Sequence, residues 1–194
     1  MPTRRTGGRS ARVREVVCEA TLALLEDGVG TASVPQVAAR AGVAPSSIYR
    51  RWGSWEGLVA DAFLMSSQTA ITIPDTGSLR QDLVDYATSV AQYLDSSRGH
   101  AVARAAVTAV TAGASPDLDH HRRQFWAERF LAASDMVERG RSRGEVAPET
   151  DGRVLLEMVV APLHFRRLVS HEDVVAGIEA RIDLLLQGGK VRHD

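Results

Sequence analysis

The most specific chemistry in this chain of 194 residues lies in one short segment. Ser46, Ser47, Tyr49, Arg50 and Arg51 set five donor side chains within six residues. Hydroxyls and guanidinium forks of this kind contact phosphate oxygens and, in the major groove, base edges. Ala44 and Pro45 open the segment, and Ser54 follows it directly before Trp55. Ser54 is placed to cap a further helix, whose free N–H groups and positive dipole end can hold a phosphate. Ser33 is placed in the same way at the head of the preceding helical stretch, with Pro35 tolerated in its first turn. The expected chemistry is recognition of a nucleic-acid backbone and of base edges.

Other chemistries lack their residues. The sequence holds no nucleophile motif, no glycine-rich phosphate loop and no paired carboxylates that stand out, so an enzyme is not expected. His120 and His121 are adjacent and would point about 100° apart on a helix. His100, His164 and His171 show no ligand spacing, so neither a metal nor a cofactor is expected. Cys18, the single cysteine, sits beside an apolar stripe and reads as a small buried hydrophobe.

The donors need helices to hold them. Val13, Val16, Val17, Ala20 and Leu24 recur at three and four residues, the stripe of an amphipathic helix, and Gly28 stands where it should stop. The stretch from Ser33 to Trp55 reads SVPQVAARAGVAPSSIYRRWGSW. Ala38 is small enough for two helices to cross closely. Gly42 lies in the turn, where positive φ is easy for glycine. Val37, Val43 and Ile48 fill the wedge between the helices. A short glycine-bearing turn between two helices is the helix-turn-helix signature, and it makes the stretch from about Pro45 to Trp52 a recognition helix for the major groove. Leu58, Val59, Ala62 and Phe63 form the stripe of a third helix.

Charge agrees with this placement. Residues 1–55 carry eight arginines against four acids, a net of +4, and residues 56–194 carry fifteen bases against twenty acids, a net of −5. A basic end on an acidic body orients the first toward phosphates. Arg4, Arg5, Arg9 and Arg12 can extend that end as an arm.

Beyond it, a polar gap at about 67–78 divides a module of residues 1–66 from a body of residues 67–194. Ser78 precedes a stripe of Leu79, Leu83, Tyr86, Val90 and Leu94, and an alanine-rich helix follows near 100–112. Ser115 and Pro116 open a helix carrying Leu118, Phe125, Phe130, Ala133 and Val137; Arg139 to Thr150 reads as a loop. Leu155, Val159 and Leu163 form one apolar seam, on a helix that Pro162 should kink, and Val174, Ile178, Ile182 and Leu185 form another. The fold class is all-α, about nine helices, with a three-helix helix-turn-helix module joined to a helical bundle. Bulky Tyr86, Trp126 and Phe130 lie near many alanines, an arrangement that leaves slots for a small apolar effector. One cysteine, no apolar run of membrane-spanning length and no apolar stretch near the N-terminus point to a cytoplasmic protein without a membrane partner.

The segment around Gly42 resembles the TetR family of transcriptional regulators. Their pattern, T-x-x-x-I-A-x-x-A-G-V-S-x-x-x-x-Y-x-x-F-x-x-K-x-x-L, is matched here by Ser33, Val37, Ala38, Ala41, Gly42, Val43, Ala44, Tyr49, Trp52, Trp55 and Leu58. Ala44 replaces the usual capping hydroxyl, and Trp55 replaces the usual phosphate-contacting lysine. The resemblance implies DNA contacts from Ser33, Ala44, Pro45, Ser46, Ser47, Tyr49, Arg50, Arg51 and Trp55, and a homodimer built on the last two helices. It further implies a ligand-released repressor on a near-palindromic operator, with effector contacts expected from Tyr86, Trp126 and Phe130. A DNA-binding protein that needs no ligand is the other reading.

Overall fold

The computed structural model describes residues 7–28, 32–111 and 116–188. Among them the chain forms nine α-helices, one short π-helical segment and no strand. Arg4, Arg5 and Ser115 lie outside the described residues, as do the side chains of Arg9, Ala106, Ala109, Asp117, Leu118, Asp119, His121 and Phe125. Packing divides the chain into two compact units, Met1–Ser66 with Ser97–Arg123, and Ser67–Ser96 with Gln124–Asp194.

The first unit holds α1 (Gly7–Glu26), α2 (Val34–Ala41), α3 (Pro45–Trp52), most of α4 (Trp55–Ala70), α6 (Ser97–Thr111) and the start of α7 (Pro116–Ser142). Its core is made by Val17, Cys18, Leu22, Val37, Ile48, Leu58, Ala62 and Val102, all essentially inaccessible. Each large apolar side chain so buried contributes roughly 1.5–3 kcal/mol. The α1 stripe is turned from its expected centre, because Val16 faces solvent and Cys18, Thr21 and Leu22 take the inward positions. Helix α6 packs on α1, and Arg98 pairs there with Glu19 at 3.0 Å and Glu26 at 3.4 Å.

The second unit holds α5 (Leu79–Asp95), the rest of α7, α8 (Gly152–Phe165), a π-helical segment (Arg166–Ser170) and α9 (Ile178–Gly188). All five residues of the expected α5 stripe are buried, and α5 packs on α8 and α9. Arg80 of α5 clamps α9 through Asp183 at 2.6 Å and Glu179 at 3.1 Å. Asp151 caps α8, accepting from the backbone of Arg153 and Val154. Helix α8 runs through Pro162 and then widens into the π-helical segment; a proline removes one backbone donor from such a ladder.

Several local expectations are corrected. Helix α4 continues to Ala70, so the gap shrinks to residues 71–78. Helix α7 continues through Arg139 to Ser142, where a loop was expected, and the reason is Gly140. A Cβ on that residue would lie 2.6 Å from the Leu79 side chain, so the glycine serves helix packing and does not end the helix. Ser33 and Ser78 stand at the N-cap positions of α2 and α5, yet neither side chain caps the backbone. The Ser33 hydroxyl donates instead to Gln36, and the Leu79 N–H donates to Glu145. The two seams expected at an interface are internal: Leu155, Val159, Leu163, Ile178 and Ile182 are buried within this chain.

Candidate functional site

The turn between α2 and α3 is built from backbone hydrogen bonds around one glycine. Gly42 adopts φ 66°. Its N–H donates to the end of α2, and the Val43 N–H donates to the Ala38 carbonyl at 3.0 Å. This is a Schellman turn with the left-handed position filled by the residue that occupies it without strain. Ala38, Val37 and Ile48 are buried in the wedge, and Val43 packs against it. Ala44 is the N-cap of α3 and provides no side-chain cap, and Pro45 follows in the first turn.

Helix α3 buries Ile48 and Trp52 and turns its other face outward. Pro45, Ser46, Tyr49, Arg50 and Arg51 are exposed and Ser47 is half-buried. The donors therefore share one outer surface, but they are not equivalent. Arg50 makes no hydrogen bond or ion pair among the described residues. Arg51 is engaged within its own unit: its guanidinium donates to the Ser10 carbonyl at 3.0 Å and the Ser10 hydroxyl at 2.8 Å, and it lies 5.3 Å from the Trp52 ring centre. Ser54 accepts from the Gly57 N–H at 3.1 Å and caps the start of α4. Trp55, the first residue of that helix, packs against the core of the unit.

Sequence reasoning missed the group that fixes α3 in place. Asp61 of α4 accepts from Arg14 of α1 at 2.9 and 2.5 Å and from the Trp52 indole N–H of α3 at 2.8 Å. The Cys18 thiol donates to the same carboxylate at 3.8 Å. Burial alone would raise the Asp61 pKa; the hydrogen bonds from Arg14 and Trp52, with the Arg14 and Arg51 charges, outweigh it and hold the pKa below the usual value. Burial, with the neighbouring Asp61 charge, pushes the Cys18 thiol up to about 12, so it stays protonated and inert. The available signal was an acid set among the apolar residues of α4, between Ala60 and Ala62.

In the second unit, two of the three residues expected at an effector, Trp126 and Phe130, are in contact, and Arg129 of the same helix reaches the third, Tyr86. Tyr86 of α5 and Phe130 of α7 are buried, and Trp126 is half-buried. Trp126 stacks on Phe130 with ring centres 5.6 Å apart at 23°. His164 of α8 meets Trp126 edge-on at 5.6 Å. Burial lowers the His164 pKa, and its bond to the Val160 carbonyl opposes this only in part. Arg129 lies beside Tyr86, to which it is hydrogen-bonded, and is itself buried. Among the described residues no group of histidine, cysteine and acidic side chains could hold a metal, and no helix is long and apolar enough to cross a membrane.

Comparison with known proteins agrees with this architecture. Residues 17–62 match the family model for bacterial regulatory proteins of the tetR family, and residues 73–182 match the tetracyclin repressor-like C-terminal domain. The chain is 40% identical over 182 residues to the HTH-type transcriptional regulator AqdR of Rhodococcus erythropolis, covering 93% of this chain and 86% of that one. It is 30% identical over 153 residues to the uncharacterized HTH-type transcriptional regulator YdeS of Bacillus subtilis, covering 78% and 75%. A solved TetR family transcription regulator, SCO0332, superposes with a TM-score of 0.79 at 26% identity, covering 91% of this chain and 98% of that one.

Proposed function

The chain belongs to the TetR family of DNA-binding transcriptional regulators, and we propose that it is a cytoplasmic repressor that works as a homodimer and is released from a near-palindromic operator by a small effector. The observation that carries this reading is the outer face of α3. Ser46, Ser47, Tyr49 and Arg50 face outward together on a short helix, behind which Ile48 and Trp52 are locked into the core. Such a helix fits the major groove, with Pro45 and Ala44 at its leading end and Ser33, Arg51 and Trp55 flanking it. Residues 1–66 provide this DNA contact, and the rest of the chain provides dimerisation and the effector site.

The dimer is supported by α8, which is apolar on two faces. Its inner face is the core seam already described. On the outer face, Val154, Met158 and Phe165 are each about half exposed, and Leu184 of α9 is exposed as well. Val154, Met158, Ala161 and Phe165 lie at i, i+4, i+7 and i+11, one continuous stripe. An exposed apolar stripe of this length is a surface for a like stripe across a two-fold axis.

The switch follows from population shift. An effector held in the second unit favours one arrangement of the two recognition helices over another, and weakens DNA binding only by its differential affinity, typically about 1–3 kcal/mol.

A mobility-shift titration on DNA flanking the gene tests the reading. Wild-type protein should shift one near-palindromic fragment as a dimer. Arg50→Ala should weaken that complex and reduce its salt slope by about one if the contact is to phosphate, while leaving the melting temperature unchanged. Operator binding by Arg50→Ala equal to wild type at physiological salt would remove α3 as the recognition element.

A further inference from the structure

We infer that Arg129 is the anchor of the effector site and that the effector is a planar aromatic molecule with a carboxylate or equivalent anionic end. The inference rests on the reading that the second unit binds an effector, and it adds the chemistry of that molecule.

Arg129 is only 5% exposed. Its Nη2 is buried without a hydrogen-bond partner, and among the described residues the side chain forms no ion pair. A guanidinium cannot shed its proton in a protein, and a buried charge without a partner is costly. Two other arginines turned inward meet that problem with carboxylates: Arg14 takes Asp61, and Arg139 takes Asp75 and Asp82. Arg129 has Tyr86 as its neighbour. Burial raises the pKa of that phenol, and the Arg129 charge and hydrogen bond oppose the rise. A phenol that stays protonated does not neutralise the guanidinium, but it leaves a second donor beside it.

What surrounds the charge defines the rest of the ligand. Trp126 and Phe130 flank Arg129 along α7 and stack at 5.6 Å, and the His164 ring lies edge-on to Trp126 at the same separation. The His164 Nδ1 lies 3.1 Å from the Val160 carbonyl. A carbonyl only accepts, so Nδ1 carries the proton and Nε2 keeps a lone pair for a donor on the ligand. A fork-shaped cation, a phenol, the Trp126 ring and a neutral acceptor together match an aromatic acid, because a carboxylate meets a guanidinium through two parallel hydrogen bonds. A wholly apolar molecule would leave the charge unpaired, and a cation would be repelled.

The test uses the full-length protein with three probes, benzoate, 1-naphthoate and indole-3-acetate, each beside its uncharged amide. Thermal shift and tryptophan quenching should report at least one acid binding, with its amide at least about tenfold weaker. Arg129→Met should lose the preference for the acid by a similar factor. In the absence of any probe, Arg129→Met should melt at or above the wild-type temperature, because it removes an unpaired buried charge; a structural arginine would instead lower it. Equal binding of every acid and its amide, or an unchanged preference in Arg129→Met, overturns the inference, as does a large drop in melting temperature for that variant. Operator release separates this from the broader reading. An acid that binds through Arg129 without releasing DNA leaves the inference standing and removes ligand release. An uncharged compound that releases DNA from both wild type and Arg129→Met does the reverse.

Discussion

Two buried ionic groups of this molecule, Asp61 in the first unit and Arg129 in the second, are held in opposite ways. In the first, Asp61 has its valences filled by Arg14 and Cys18 of α1 and by Trp52 of α3. In the second, Arg129 is more deeply buried and has no carboxylate among the described residues. The same contrast extends to surfaces. Helix α3 rests on a closed apolar wedge, whereas α8 leaves an apolar stripe open to solvent. A group whose partners come from its own chain fixes one geometry, which suits a helix that must present donors at fixed spacing. A cation left without a carboxylate has affinity to spare for another molecule, which suits a unit that senses and assembles.

Breaking the closed network should give the largest effect. Asp61→Ala leaves the Arg14 guanidinium and the Trp52 N–H without their shared acceptor and unties α1 and α3 from α4. Removing one partner of a part-buried charged network of this kind costs about 3 kcal/mol. Urea unfolding should show that loss, and operator binding should fall with it. A stability unchanged within about 0.5 kcal/mol would mean that the network is incidental and that the apolar wedge alone holds α3.

The open stripe gives the next effect and separates surface from core. Met158→Asp with Phe165→Asp places charge on the outer face of α8 and should yield a folded monomer, seen as a halved mass by light scattering with unchanged helical circular dichroism. Ile178→Asp with Ile182→Asp places charge in the core of the second unit and should cost that unit its fold. If the first pair remains dimeric, the two-fold contact lies on another face.

The contrast between filled and open groups also marks what the sequence could reveal. Local features were legible: the α5 stripe from Leu79 to Leu94 keeps strict three- and four-residue spacing, and Gly42 sits between two short helices where only one turn geometry fits. Features set by residues far apart in the chain were not. Arg14 and Asp61 are 47 positions apart, and neither carries a local signal of the other. Gly140 looked like a helix end because glycine ends helices more often than it admits a neighbour, and that neighbour, Leu79, lies on another helix. On α8 most residues are apolar, all but Gly152, Arg153, Glu157 and His164, so spacing showed that the helix is buried on one side without showing which side. The seam of Leu155, Val159 and Leu163 proved to be the inner one.

The smallest effect is in pH, and it distinguishes the units without any change to the chain at first. His164 is held neutral by burial, so its pKa in the folded state lies below the ordinary histidine value. As pH falls below about 6.5, the unfolded chain takes up a proton that the folded chain refuses. The folded state therefore loses stability as pH falls from neutral toward the lowered value, with a slope of at most about 1.4 kcal/mol per pH unit for one group. Asp61 behaves differently because its folded pKa lies below the carboxylate range. Its stabilisation is fully present above about pH 4, the unfolded value, and is lost only as pH falls further through the folded value. Denaturant unfolding at pH 7.5 and pH 5.5 should therefore show a modest loss that arises in the second unit. His164→Gln should flatten that limb, and Asp61→Asn should leave it unchanged while altering stability at every pH above about 4. A limb between pH 7.5 and 5.5 that survives His164→Gln would place the responsible proton on another histidine.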